Sequence, residues 1–324
     1  MDKIVIAGGK PLRGRIRISG AKNASLAILC ATFLSRNEVV LENVPDISDV
    51  RVMIEIIRSL GANVYWENTE TLRVKPPAEV NNGAPYQLVK QLRASNLLLG
   101  PILARFGRVQ VALPGGCNIG IRPMDLHFKG LEGLGAELSL EHGYIRGRVK
   151  GRLKGARIYL DFPSVGATEN IMMAACLAEG QTLIENAAKE PEIVDLANFL
   201  NTLGAKVRGA GTDVIKIDGT PILEGGVRYP IIPDRIEAGT FMVASAATGG
   251  DVILENLIPL HLQPLSAKLR EANVEVLEGE DSIRVRAGKP LRPIDIKTMP
   301  YPGFPTDMQS QLMAMLSVVP GTSV

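Results

Sequence analysis

The sequence predicts an α/β (α+β) fold built from a repeated βαβαββ unit, with the most apolar helices enclosed and the sheets outside. Three recurring phrases predict it. One closes helical stretches: Leu60-Gly61-Ala62, Leu134-Gly135-Ala136 and Leu203-Gly204-Ala205, with a weaker copy at Ala272, the alanines lying 74, 69 and 67 residues apart. A second opens apolar helices: Asn23-Ala24-Ser25, Arg93-Ala94-Ser95, Gly166-Ala167-Thr168 and Glu237-Ala238-Gly239, with alanine spacings of 70, 73 and 71. The third marks a strand ending in asparagine: VVLEN to Asn43, TLIEN to Asn186 and VILEN to Asn256. Three phrases keeping one period of about 71 residues mark an internal repeat.

The first copy justifies each element in turn. GRIRISG alternates and reads as a strand. ASLAILCATFL is apolar nearly all round, so that helix must be wrapped by other elements. EVVLENV is a second strand. DVRVMIEIIRSL places Val50, Met53, Ile54, Ile57 and Leu60 near helical spacing, and Gly61 suits the residue just past a helix end. NVYWENTETLRV alternates about a polar turn and closes the copy as a hairpin. The later copies repeat this order, down to TENIMMAACLA and the hairpin VEVLEGEDSIRV. A fifth copy begins at Phe304-Pro305-Thr306-Asp307 and its helix at MQSQLMAMLS. Six copies would need about 426 residues, so the second domain is expected to be incomplete here, by roughly 100 residues.

Composition removes several function classes. The chain has 324 residues, 46% hydrophobic and 22% charged, with net charge +2. That is a globular balance without a general attraction to nucleic acid or membrane. Aromatics at 4% argue against a base-stacking surface. No apolar run is long enough for a membrane span or signal peptide. Cys30, Cys117 and Cys176 are too scattered for a disulfide scaffold or a CxxC metal site, which suits a reducing cytoplasm. No metal or cofactor motif is present. The sequence leaves the oligomeric state open.

Chemistry is expected in the loop before each apolar helix, because helix N-termini carry free N–H groups and a partial positive charge. Lys22 and Asn23 stand there in the first copy, Arg93 in the second, Ser164-Val165-Gly166 in the third, Asp234-Arg235 in the fourth and Asp307 in the fifth. For each residue alone, a cap or a solvated charge is the plainer reading. The segment LPGGCNIGIRPMDLH, residues 113–127, breaks the pattern with a Gly-rich loop carrying Cys117, and the neighbouring Arg122 favours a thiolate. The alternative there is an inert cysteine in a flexible loop. Cys30 and Cys176 fall on apolar helices and read as core. His127, His142 and His261 are scattered and read as structural or exposed. Lys189-Glu190-Pro191-Glu192 reads as a helix start with acids in its first turn.

SGAKNAS, LVKQLRASN, LPGGCNIGIRPMDLH, FPSVGATEN, PDRIEAGT and FPTDMQSQ together resemble the UDP-N-acetylglucosamine 1-carboxyvinyltransferases, along the whole chain. The cysteine phrase separates that family from the related shikimate-pathway transferase. The resemblance implies two inside-out α/β barrel domains: 22–230, complete, and 1–21 plus 231–324, incomplete and carrying Asp307. It implies transfer of enolpyruvyl from phosphoenolpyruvate to the 3′-hydroxyl of UDP-N-acetylglucosamine, the first committed step of peptidoglycan synthesis, with no cofactor. It implies Cys117 as general acid, adduct site and target of fosfomycin, Asp307 as base, and Lys22 and Asn23 on phosphoenolpyruvate. Arg93 and Arg122 are implied as further positive partners. Arg122, Pro123, Met124, Asp125 and Leu126, with Ser164, Val165 and Gly166, are implied to hold the UDP-sugar. The sequence departs from the family at Phe162, where many members have lysine. The competing expectation is a truncated, impaired paralogue that only binds UDP-sugar.

Overall fold

The computed structural model describes residues 3–81, 83–113, 124–288 and 290–324. The chain forms two compact units, Gly20–Ile232 and a split unit of Met1–Ser19 with Pro233–Val324.

The asparagine that ends each VLEN-type strand explains the most persistent phrase of the repeat. Asn43, Asn186 and Asn256 all have left-handed backbone, at φ 56°, 55° and 58°. Asparagine is the side-chain-bearing residue that tolerates this best. Each then uses its amide as a staple: Asn43 Nδ2 donates to Ile231 O at 2.9 Å, Asn186 to Leu160 O at 2.7 Å and Asn256 to Ile18 O at 2.7 Å. In every case the acceptor lies just past the strand that pairs in parallel: Arg228–Pro230, Arg157–Tyr159 and Arg13–Arg17.

Those parallel pairings hold the main departure from a simple repeat. The lead strand of the first copy, Arg13–Arg17, pairs with the fourth copy's Asp251–Glu255. The lead strand of the fourth copy, Arg228–Pro230, pairs with the first copy's Val39–Glu42. The two lead strands are exchanged, and the chain passes from one unit to the other just after each, at 19/20 and 232/233. Among the described residues only the third copy pairs its own lead strand, Arg157–Tyr159, with its own Gln181–Glu185. The second copy does not fit the βαβαββ expectation among the described residues: its sheet is Arg108–Ala112, Tyr144–Arg148 and Glu137–Glu141, without a lead strand.

Helix ends follow the repeat closely. At Gly61, Gly135 and Gly204 the backbone turns left-handed, and the next two N–H groups fold back onto the last turn, as Gly61 N to Arg58 O and Ala62 N to Ile57 O. In the fourth copy the residue making these bonds is Asn273, at φ 72°, with Val274 N on Leu269 O. Val274, not Ala272, is therefore the equivalent of Ala62, and the sequence alignment of that copy moves by two residues. An asparagine in place of glycine hid the register.

Helices Lys22–Ala31 and Val165–Ala175 are the enclosed ones: Ala24 to Ala31 and Ala167 to Ala175 are all buried. Around them the amphipathic helices Ser48–Ser59 and Pro191–Thr202 bury one face each, and Phe33, Met53, Ile56 and Phe199 fill the core. In the second copy Pro101 limits the helix. Proline is accommodated in a first turn, so the α-helix is Leu99–Phe106 and the chain before it, Arg93–Leu98, winds as a 3₁₀ turn. Strands bury alternate residues, such as Val252, Leu254, Ile283 and Val285, and turn charge pairs outward, such as Arg284–Asp251 at 2.7 Å. Cys30 and Cys176 are buried thiols, with burial pushing Cys176 up to about 12.

Candidate functional site

The sequence-predicted residues fall in two groups. Lys22, Asn23, Arg93, Met124, Asp125, Leu126, Ser164, Val165 and Gly166 all lie in unit Gly20–Ile232, and Asp307 lies in the split unit. Cys117, Arg122 and Pro123 lie outside the described residues.

Within the first unit the elements that carry these residues pack in a chain. Lys22–Ala31 packs on Arg93–Leu98, that segment on Val165–Ala175, and that helix on Asp125–Gly133. The start of Lys22–Ala31 is electropositive and open. Its cap, Ala21, offers no side-chain acceptor, no acid stands in its first turn, and the side chain of Lys22 is half-exposed with Nζ 3.4 Å from Asp49 Oδ2. A half-exposed pair of this kind contributes at most about 1 kcal/mol to the fold. Asn23 is exposed beside it. The start of Val165–Ala175 is capped only lightly, by Ser164 Oγ accepting from Ala167 N at 3.4 Å, and again has no acid in its first turn.

The split unit treats the same repeat position in the opposite way. Asp234 Oδ1 accepts from Ile236 N at 2.7 Å and Glu237 N at 2.9 Å, so the start of Arg235–Ala247 is filled by its own carboxylate. Glu237 in turn accepts from Ser19 N at 3.0 Å. Asp307 is exposed in the 3₁₀ turn Thr306–Met308, before helix Gln309–Leu316. A solvent-reachable carboxylate there can take a proton from an approaching hydroxyl.

Two buried polar clusters were not found from sequence as site features. His127, 6% exposed, sits between the second- and third-copy helices. Asn170 Nδ2 lies 2.9 Å from His127 Nδ1 and 2.9 Å from Asn96 O, while Asn170 Oδ1 accepts from Gly100 N at 2.8 Å. Burial, then the Arg93 charge, lowers His127 to about 4. A second cluster is acidic: Glu169, Glu192 and Asp195 are each no more than 4% exposed. Burial raises Glu169 well above the carboxylate range, helped by the Glu192 and Glu190 charges. Asp195 rises to about 6 through burial, against the hydrogen bond from Tyr229 Oη at 2.6 Å. Their signal in sequence was faint: a histidine on a helix, and acids around Pro191 read as a helix start. Pro191 does open that helix, with Glu192 in its first turn. Among the described residues no cluster of histidine, cysteine and carboxylate side chains could hold a metal ion, and no helix is long and apolar enough to cross a membrane.

Comparison with known proteins gives one consistent picture. The profile of the EPSP synthase family (3-phosphoshikimate 1-carboxyvinyltransferase) matches residues 6–324. A UDP-N-acetylglucosamine 1-carboxyvinyltransferase 2 of Carboxydothermus hydrogenoformans is 57% identical over all of this chain and 77% of its own length. A UDP-N-acetylglucosamine 1-carboxyvinyltransferase 1 of Caldanaerobacter subterraneus is 55% identical, over 99% of this chain and 77% of its own. Among solved structures, the enolpyruvyl transferase NikO of Streptomyces tendae superposes with TM-score 0.85 at 25% identity, over 97% of this chain and 74% of that one. An EPSP synthase of Acinetobacter baumannii shares the fold, with TM-score 0.69 at 20% identity over 96% of this chain and 69% of that one.

Proposed function

This chain belongs to the EPSP synthase family, among its UDP-N-acetylglucosamine 1-carboxyvinyltransferases, and on that premise we propose how its residues transfer enolpyruvyl from phosphoenolpyruvate to the 3′-hydroxyl of UDP-N-acetylglucosamine. The observation that carries the reading is 57% identity extending over the whole chain.

Phosphoenolpyruvate brings a phosphate and a carboxylate to the site. The uncapped, acid-free start of Lys22–Ala31, with Lys22 and Asn23, suits such an anion. Arg93 and Arg122 add positive charge. Cys117 delivers a proton to C3, which leaves C2 electrophilic. The sugar 3′-oxygen bonds to C2 as its proton passes to Asp307. The C2–O bond to phosphate then breaks, C3 gives back a proton, and the vinyl ether and inorganic phosphate leave. Attack by Cys117 sulfur on C2 instead gives the covalent adduct. Met124, Asp125, Leu126 and Ser164 to Gly166, with Arg122 and Pro123, hold the UDP-sugar. The reaction is cytoplasmic and is the first committed step of peptidoglycan synthesis.

Phosphate release from phosphoenolpyruvate, dependent on UDP-N-acetylglucosamine and stopped by fosfomycin, tests the reading. Cys117→Ser is expected to abolish covalent fosfomycin labelling. Undiminished labelling of that variant removes the cysteine from its role, and absence of sugar-dependent phosphate release removes the transferase reading for this chain.

A further inference from the structure

The amide of Asn170 has its orientation fixed by a backbone group. Gly100 N–H can only donate, so the atom facing it at 2.8 Å is Oδ1. The NH₂ end then faces Asn96 O at 2.9 Å and His127 Nδ1 at 2.9 Å. One hydrogen goes to the carbonyl and the other to the imidazole. His127 Nδ1 is therefore the acceptor, and the ring proton sits on Nε2. The far side of the ring lies against Gly166. A methyl group there would stand 3.2 Å from His127 Cε1 and 3.4 Å from Nε2, so the first turn of Val165–Ala175 rests on the imidazole. Asn96 closes the cluster by donating from Nδ2 to Met124 Sδ at 3.4 Å, beside the start of Asp125–Gly133. Three segments proposed to touch substrate, at Arg93, at 124–126 and at 164–166, thus meet on one buried histidine and one asparagine.

We propose that His127 is a positioning residue: its neutral ring, held by Asn170, sets the start of Val165–Ala175 against the start of Asp125–Gly133 and so fixes the shape of the UDP-sugar site. This rests on the transferase reading above. The ring needs no contact with substrate to act. Loss of the Nδ1 acceptor leaves one buried Asn170 N–H without its bond, and the amide is free to turn and release the turn at Gly166. Buried donors without partners are costly enough to move their surroundings. The burial and the Arg93 charge that keep the ring neutral serve the same end, because a protonated Nδ1 would repel the amide hydrogen.

The test compares His127→Leu, which removes the acceptor, with His127→Asn, whose Oδ1 falls near the Nδ1 position. UDP affinity is read by calorimetry, and turnover as KM against kcat. His127→Leu is expected to raise Kd for UDP, and KM for the UDP-sugar, about tenfold or more, with kcat changed less than about threefold, and His127→Asn to restore both. Unchanged UDP affinity in His127→Leu, or equal weakness in the two variants, overturns the proposal. Amide hydrogen exchange at residues 164–168 gives a second readout: faster exchange in His127→Leu, reversed in His127→Asn, is expected, and equal protection overturns it. Failure of the wild-type chain to bind UDP would sink the substrate reading instead, and the exchange result would then decide the positioning role.

Discussion

The start of the apolar helix is one position of the repeat with two opposite chemistries. In unit Gly20–Ile232 it is electropositive: Ala21 leaves Lys22–Ala31 uncapped, Ser164 makes a single long cap bond, and neither first turn holds an acid. In the split unit Asp234 fills the same position with two short bonds, Glu237 follows in the first turn, and Asp307 occupies the equivalent turn of the next copy. The repeat dictates where backbone N–H groups are presented, and the capping residue decides whether they face a ligand or a side chain of the protein. One unit is thereby suited to anions and the other to carrying carboxylates.

The carboxylate half of the contrast should break most visibly. Asp307→Ala is expected to cost about two to four orders of magnitude in turnover, the scale of a lost general base. UDP affinity should stay within a few-fold. Turnover within threefold of wild type would show that the acid at this position is not chemical.

Acid provides the next largest effect. His127 folds with a value of about 4 against an ordinary value near 6.5. Its lowered value means that the unfolded chain takes the proton first. Stability from this residue is complete above about 6.5 and is lost as pH falls toward 4, by on the order of 3 kcal/mol. Asp195 acts in the opposite sense, since its value is raised to about 6 and its contribution is lost as pH rises from about 4 to 6. The difference between wild type and His127→Asn in urea unfolding at pH 4.5 and pH 7 isolates the histidine. A difference that does not change with pH would mean that the ring is charged in the fold.

Lys22→Met tests the electropositive half. Loss of one charge-assisted contact of about 1.5–3 kcal/mol should raise KM for phosphoenolpyruvate roughly 10- to 100-fold. Thermal stability should barely change, because the Asp49 pair is half-exposed. A large drop in melting temperature with an unaltered KM would reassign Lys22 to the fold. The caps themselves give a smaller, purely structural comparison. Asp234→Ala removes two bonds of 2.7 and 2.9 Å, and Ser164→Ala one of 3.4 Å. The first should cost more of the roughly 0.5–2 kcal/mol range of such caps, and equal losses in calorimetry would contradict the contrast in capping strength.

Much of the fold was legible because the repeat phrases are local. Asn43, Asn186 and Asn256 mark a left-handed residue, and Gly61, Gly135 and Gly204 a helix end, within a few residues of their cause. The exchanged lead strands could not be read from local residues, since Arg13–Arg17 finds its partner some 240 residues away and nothing in GRIRISG names it; only the family resemblance grouped 1–21 with 231–324. The fourth register slipped where Asn273 does the work of a glycine. The same limit applies to the site. Lys22, Ser164 and Asp307 could be placed because they recur at one phase of the repeat. The His127–Asn170–Gly100 network joins residues 43 and 70 positions apart, and each of them alone reads as an ordinary core polar group.

Phe162 offers the smallest and sharpest test, because the family resemblance implies a lysine at this position of the electropositive unit. The side chain is 60% exposed, two residues before Ser164, and so lies beside the lightly capped start of Val165–Ala175 without contributing to the core. An exposed ring at that position supplies no charge to a diphosphate. Phe162→Lys should leave the fold unchanged and tighten UDP binding about two- to fivefold at low salt, the scale of one exposed charge. The gain should fade in 0.5 M salt, where exposed charges are screened beyond about 4 Å. A gain that survives high salt would mean that lysine makes a direct, desolvated contact. No gain at either salt would place the diphosphate away from residue 162, and the positive character of this helix start would then serve phosphoenolpyruvate alone.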